Sequence, residues 1–137
     1  MKGKKRYWMP SSTSSSNVKP SELDKEHISN YFLPLTETFK NQYLPKKPNK
    51  EFNYLIDIYS KWHQNYFYLC EKYRSEHPNR IKDEFEMKFV RLKYTGKDQF
   101  EFSYFRHTGQ WHVVSAGLTM GDCKEMILTN PVFQPTG

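Results

Sequence analysis

Apolar residues in the first regular segment stand at Ile28, Tyr31, Phe32, Leu35 and Phe39, three and four apart, which is the period of one buried helical face. Just before them, Ser21-x-x-Asp24 has the spacing of a capping box, with Asp where Glu is usual. A helix over residues 24–42 is predicted. Pro34 lies inside it without an N–H to donate, so a kink or the start of a second short helix is expected there. Leu44-Pro45-Lys46-Lys47-Pro48-Asn49 ends the helical region.

Residues 51–74 satisfy two periods at once. Leu55, Ile58, Tyr59, Trp62, Tyr66, Leu69, Cys70 and Tyr73 fit one side of a long helix. Phe52, Tyr54, Ile56 and Ile58, followed by Tyr66, Tyr68 and Cys70, fit two strands with Lys61 to Asn65 as the turn. Aromatic residues are dense here and Ala is absent, a composition that favours strands, so a hairpin is predicted.

Strict alternation follows the loop from Ser75 to Lys82. Phe85, Met87 and Phe89 alternate with charged residues, and the apolar phase then moves to Val90, Leu92 and Tyr94, which predicts a bulge near Phe89. Thr95-Gly96-Lys97-Asp98 and His107-Thr108-Gly109-Gln110 read as turns around a strand carrying Phe100, Phe102 and Tyr104. Trp111, Val113 and Ser115 continue the alternation. A short amphipathic helix over Asp122 to Leu128, capped by Asp122 or Gly121, precedes an irregular tail. The predicted class is α+β: an antiparallel meander of about five strands with an N-terminal helix and a short C-terminal helix. One face of this sheet is expected to carry the first helix, and an apolar, aromatic second face to stay partly uncovered.

Charge divides the 137-residue chain at its start. Lys2, Lys4, Lys5, Arg6 and Lys19 fall within the first twenty residues, which hold no acid, while the remainder has sixteen cations against fifteen acids. The net charge of +6 therefore belongs mostly to an arm, and residues 1–20 are expected to be a disordered basic arm with a Ser-rich linker ahead of one domain over 21–137. Five cations make only a weak, salt-sensitive hold on phosphate. Tyr7 and Trp8 are large groups in that arm, suited to docking in a groove. The basic start is followed by Ser and Thr where a signal peptide needs an apolar stretch, and no apolar run is long enough to span a bilayer, so a cytoplasmic protein is expected. Cys70 and Cys123 have no metal-ligand spacing and read as small buried hydrophobes.

The order helix, hairpin, three-strand meander, short helix and tail comes with particular residues. Phe89-Val90-Arg91-Leu92, the turn at Thr95 to Asp98, Gly109-Gln110-Trp111-His112, and Asn130-Pro131 before Phe133 and Gly137 resemble a bacterial family catalogued as domain of unknown function three-zero-two-four. The resemblance covers roughly residues 24–137, with Gly-x-Trp-His its most specific piece. It implies strands in the ambiguous stretch and brings no chemistry. The basic arm and Phe133-Gln134-Pro135 depart from the family pattern.

Catalytic motifs are sparse. Five His stand without ligand spacing, and neither a Gly-x-Ser-x-Gly elbow nor a Gly-rich phosphate loop occurs. Asp57 on one strand with Glu86 and Lys88 on another could hold Mg²⁺ and orient a water for a nuclease, the carboxylates taking the metal, but Glu-x-Lys is common by chance. No cofactor, metal or catalysis is expected. The expected role is an accessory protein, a homodimer anchored by Trp111, Tyr104, Phe102 and Phe105, that docks on a larger protein and assists nucleic-acid engagement. Prokaryotic defence systems, CRISPR effectors among them, are one setting for such a part. The alternative is a stand-alone nucleic-acid binder that stacks bases on sheet aromatics and holds phosphates with Lys88, Arg91, Lys93 and Arg106.

Overall fold

Ser21 caps the first helix: its hydroxyl accepts from the Asp24 N–H at 3.1 Å, and the Asp24 carboxylate accepts from the Ser21 N–H at 3.0 Å. The computed structural model describes residues 18–79 and 83–136. Helix α1 (Glu22–Tyr43) runs unbroken through Pro34, so no second helix begins there. Proline removes the donor to Asn30, and Asn30, Leu33 and Pro34 all lie on the exposed side, where solvent can take the place of that bond. Ile28, Phe32, Leu35 and Phe39 form its buried stripe.

Five strands follow in chain order as an antiparallel meander: β1 (Tyr54–His63), β2 (Tyr66–Arg74), β3 (Glu84–Gly96), β4 (Gln99–Phe105) and β5 (Trp111–Leu118). Residues 51–74 thus hold a hairpin rather than a long helix. Its turn is tighter than expected, only Gln64 and Asn65, with Gln64 at φ 56 absorbing the reversal, so Lys61 to His63 belong to β1. Leu69 pairs with Val90 and Cys70 with Lys88, which leaves Phe89 as the extra residue of a bulge. The bulge turns Phe89 and Val90 both into the core.

Helix α2 (Met120–Thr129) is capped by Thr119, with Asp122 at the third helical position closing a capping box. The expected cap at Gly121 or Asp122 was two to three residues late, because the acid of a capping box sits inside the helix and the hydroxyl outside. Both helices cover the same face of the sheet, burying Phe67, Leu69, Leu92, Phe100 and Phe102 against Phe32, Phe39, Cys123 and Ile127. The Trp62 indole fixes α1 to β1 by donating to the Ser29 hydroxyl at 3.1 Å.

The tail is part of this core. Phe133 packs edge-on against Phe102 and Tyr104, and the Gln134 amide donates to the Ile127 carbonyl at 2.9 Å at the end of α2. Glu71, buried on β2, accepts from the Thr136 N–H at 3.1 Å and the Tyr73 hydroxyl at 2.7 Å. At the other end Val18 packs on the core and Pro20 is buried, so packed chain begins ahead of residue 21.

Candidate functional site

Alternation along each strand sends every second side chain away from the helices, and no helix among the described residues covers that second face. Register places Tyr66 and Tyr68 of β2 beside Lys93 and Arg91 of β3, and Arg91 in turn beside Ser103 of β4. The face is aromatic as expected, yet strongly charged where an apolar surface was expected. Lys61, Lys72, Arg74, Lys88, Arg91 and Lys93 stand in its rows, against Asp57, Glu84, Glu86 and Glu101.

Arg91 is the centre of the arrangement. Its guanidinium carbon lies 4.7 Å from the Trp111 ring centroid and 5.1 Å from that of Tyr66. The Trp111 ring also reaches Tyr68 at 5.8 Å and Phe105 at 5.3 Å. Trp111 belongs to β5, so the indole must cross β4 to meet residues of β2 and β3. Ser103 stands in the intervening row, small enough to be crossed, and is only 1% exposed. Neither the Ser103 hydroxyl nor the Arg91 Nε has a hydrogen-bond partner among the described residues. No carboxylate among them pairs with Arg91 either. A planar cation is thus flanked by two rings, with its Nε buried and without a hydrogen-bond partner among the described residues.

Glu86 organises the neighbouring cations. Its carboxylate lies 2.7 Å from the Lys61 ammonium and 3.2 Å from that of Lys88, and it accepts from the Tyr59 hydroxyl. Burial opposes its ionisation, but the bonds from Lys61, Tyr59 and Lys88 outweigh it and hold the carboxyl down at about 2. The Lys61 ammonium is raised by the same bond. Burial, then the bond to Glu86, raises the Tyr59 phenol. Lys88 also sits 5.4 Å from the Tyr68 ring, and a depression of about 440 Å³ opens among Lys61, His63, Tyr68, Lys88 and Trp111.

The residues expected to matter fall into three groups. Lys88, Arg91, Lys93, Trp111 and Phe105 come together on the open face, and Arg106 follows Phe105 at the start of the exposed β4–β5 turn. Phe102 is corrected: it is fully buried between the sheet and the helices, because Phe100, Phe102 and Tyr104 point to the helix side. Tyr104 is half-buried there against Phe133 and His112, so neither is a free contact on the open face. Lys2, Lys4, Lys5, Arg6, Tyr7 and Trp8 lie outside the described residues.

Asp57, Glu86 and Lys88 do not assemble as a Mg²⁺ site. Asp57 and Glu86 lie two strands apart with Lys72 between them in register, and Asp57 is drawn to Lys40 of α1 at 3.3 Å. Among the described residues no group of three His, Cys, Asp or Glu could hold a metal ion. Both thiols are buried, which pushes each up to about 12. Sequence reasoning missed Tyr66, Tyr68, Lys61 and Ser103. The first three were visible in the alternation once the hairpin register was set; Ser103 carries no signal without the path of Trp111.

A family model described as a domain of unknown function, DUF3024, matches residues 35–135, most of the chain. The chain belongs to this family. The match begins inside α1 and takes in every strand of the sheet, hence the whole open face of this DUF3024 domain. No curated protein and no solved structure matches the chain.

Among the described residues no helix is long and apolar enough to cross a membrane.

Proposed function

We propose that the open sheet face of this DUF3024 protein binds single-stranded nucleic acid without catalysing its cleavage. The observation that carries the reading is Arg91, clamped between Tyr66 and Trp111 with no acidic partner among the described residues. The Nε is buried, so the terminal nitrogens of the guanidinium are the donors left for a phosphate or a base edge, and the flanking rings leave little ordering entropy to lose. Tyr66, Tyr68 and Trp111 are partly exposed, and ring surface not covered by Arg91 or Lys88 can stack on an unpaired base at about 1–3 kcal/mol. Lys61, Lys72, Lys88 and Lys93 ring the aromatic cluster, where a backbone of phosphates would pass. An aromatic sheet face favours single strands, since bases paired inside a duplex present no ring face to it.

Glu86 speaks against a nuclease on this face, because its oxygens are engaged by two lysines and a tyrosine rather than open to a cation. Photo-crosslinking tests the placement directly. A bromouracil-containing single strand, irradiated with the protein and digested, should label peptides bearing Tyr66, Tyr68 and Trp111. Labelling confined to residues 1–20 would move the activity to the arm.

A further inference from the structure

We propose that Trp111 is a movable cover over a two-donor phosphate site made by the Arg91 Nε–H and the Ser103 hydroxyl. The phosphate belongs to the strand that the open face is proposed to bind, and on that reading its source rests. Arg91 and Ser103 are register partners on β3 and β4, so their side chains share the open face. Among the described residues they hold the two buried side-chain polar atoms that lack a hydrogen-bond partner, the Arg91 Nε and the Ser103 Oγ. The Nε–H can only donate and the hydroxyl is free to, so one acceptor set between them would satisfy both. Lys88 and Lys93 flank Arg91 along β3. Of the nearby acids, Glu86 is taken by Lys61 and Lys88, and Glu101 stands opposite Lys93. A positive field around two orphaned donors selects an anionic oxygen, such as that of a phosphate.

The indole stands where the acceptor would enter. Its ring centroid lies 4.7 Å from the Arg91 guanidinium carbon, and reaching it from β5 takes the indole across the row of Ser103. Two donors buried without an acceptor destabilise this closed position. An acceptor that satisfies both therefore favours the position with the indole lifted. Trp62 is pinned by its N–H, which donates to the Ser29 hydroxyl at 3.1 Å. Trp111 is held instead by ring contacts with Arg91, Tyr68 and Phe105, and it follows the exposed turn that holds Gly109 at φ 85. Once lifted, the indole is free to stack on a base of the same strand.

Proton–nitrogen NMR spectra of the labelled full-length protein read the Arg91 Nε–H directly, its resonance assigned by loss in Arg91→Lys. Inorganic phosphate, added at fixed ionic strength, should move this resonance downfield to saturation. Ser103→Ala should weaken that titration about fivefold. Trp111→Ala, with the cover gone, should take phosphate more tightly than the wild type yet bind an oligothymidylate strand more weakly, having lost a stacking platform. In the wild type the strand should move the same resonance. A resonance that phosphate leaves in place overturns the site, and so does a Ser103→Ala titration equal to the wild type, the result for a merely buried hydroxyl. Phosphate binding no tighter in Trp111→Ala removes the cover; if that variant loses its circular dichroism, Ser103→Ala decides. A strand that binds without moving the resonance overturns the site and leaves the open face as the binding surface. Phosphate titrating as expected with no binding of the strand keeps the site and removes the strand.

Discussion

The Arg91 guanidinium lies 4.7 Å from the Trp111 ring although β4 runs between their strands, where the small Ser103 is the register partner of Arg91. Replacing Ser103 with Leu should lift the indole from Arg91 while leaving the helix-side core unchanged. The expected stability cost is that of overpacking, about 1–3 kcal/mol, and affinity for a single-stranded oligonucleotide should fall about tenfold. Near-ultraviolet circular dichroism and fluorescence anisotropy on the same sample separate the two effects. Wild-type affinity in a variant whose indole signal has changed would break the link between Trp111 and binding.

Glu86 predicts a pH dependence of known sign. Its folded-state value, about 2, lies below the ordinary 4.5, so the unfolded chain takes up the proton first. The stability it contributes is complete above about 4.5 and is lost as pH falls through about 2. Urea midpoints measured across that window should slope less steeply for Glu86→Gln than for the wild type. At neutral pH the substitution should cost about 1–2 kcal/mol, and it should strengthen oligonucleotide binding by freeing Lys61 and Lys88.

Phe133 closes the core from outside the regular elements, against Phe102 and Tyr104. Phe133→Ala should destabilise the domain by about 3–5 kcal/mol, the range for a buried aromatic. Chemical denaturation reads this out directly. A loss below ~1 kcal/mol would mean that the tail is not part of the cooperative unit.

Both thiols should be inert. Burial pushes Cys70 and Cys123 up to about 12, so neither presents a thiolate near neutrality. Maleimide added to native protein should leave both unmodified, and both should react in denaturant. Rapid native labelling would show that the sheet or α2 opens readily.

The fold was legible where pattern and local chemistry agreed. The capping box at Ser21, the bulge at Phe89 and the paired turns of the meander all came from residue identity within a few positions. Pro34 left a second helix open because its effect depends on whether the freed carbonyl faces solvent, which needs the fold. Phe102 misled because alternation says which residues share a face and not which face the helices take. The open-face cluster needed both register and side-chain reach: Trp111, Arg91 and Tyr66 come from three strands, and no one-dimensional spacing connects them.

The open face, and not residues 1–20, is the proposed seat of the nucleic acid. Fluorescence anisotropy with a labelled single strand of about 15 nucleotides, long enough for one such face, compares the full chain with its Arg91→Ala, Trp111→Ala double variant. The arm is intact in both proteins. Affinity should fall at least about tenfold in the variant, and the wild type should prefer the single strand to the matching duplex. Equal binding by both proteins, or a wild type indifferent to strandedness, would rule out the open face as the binding surface.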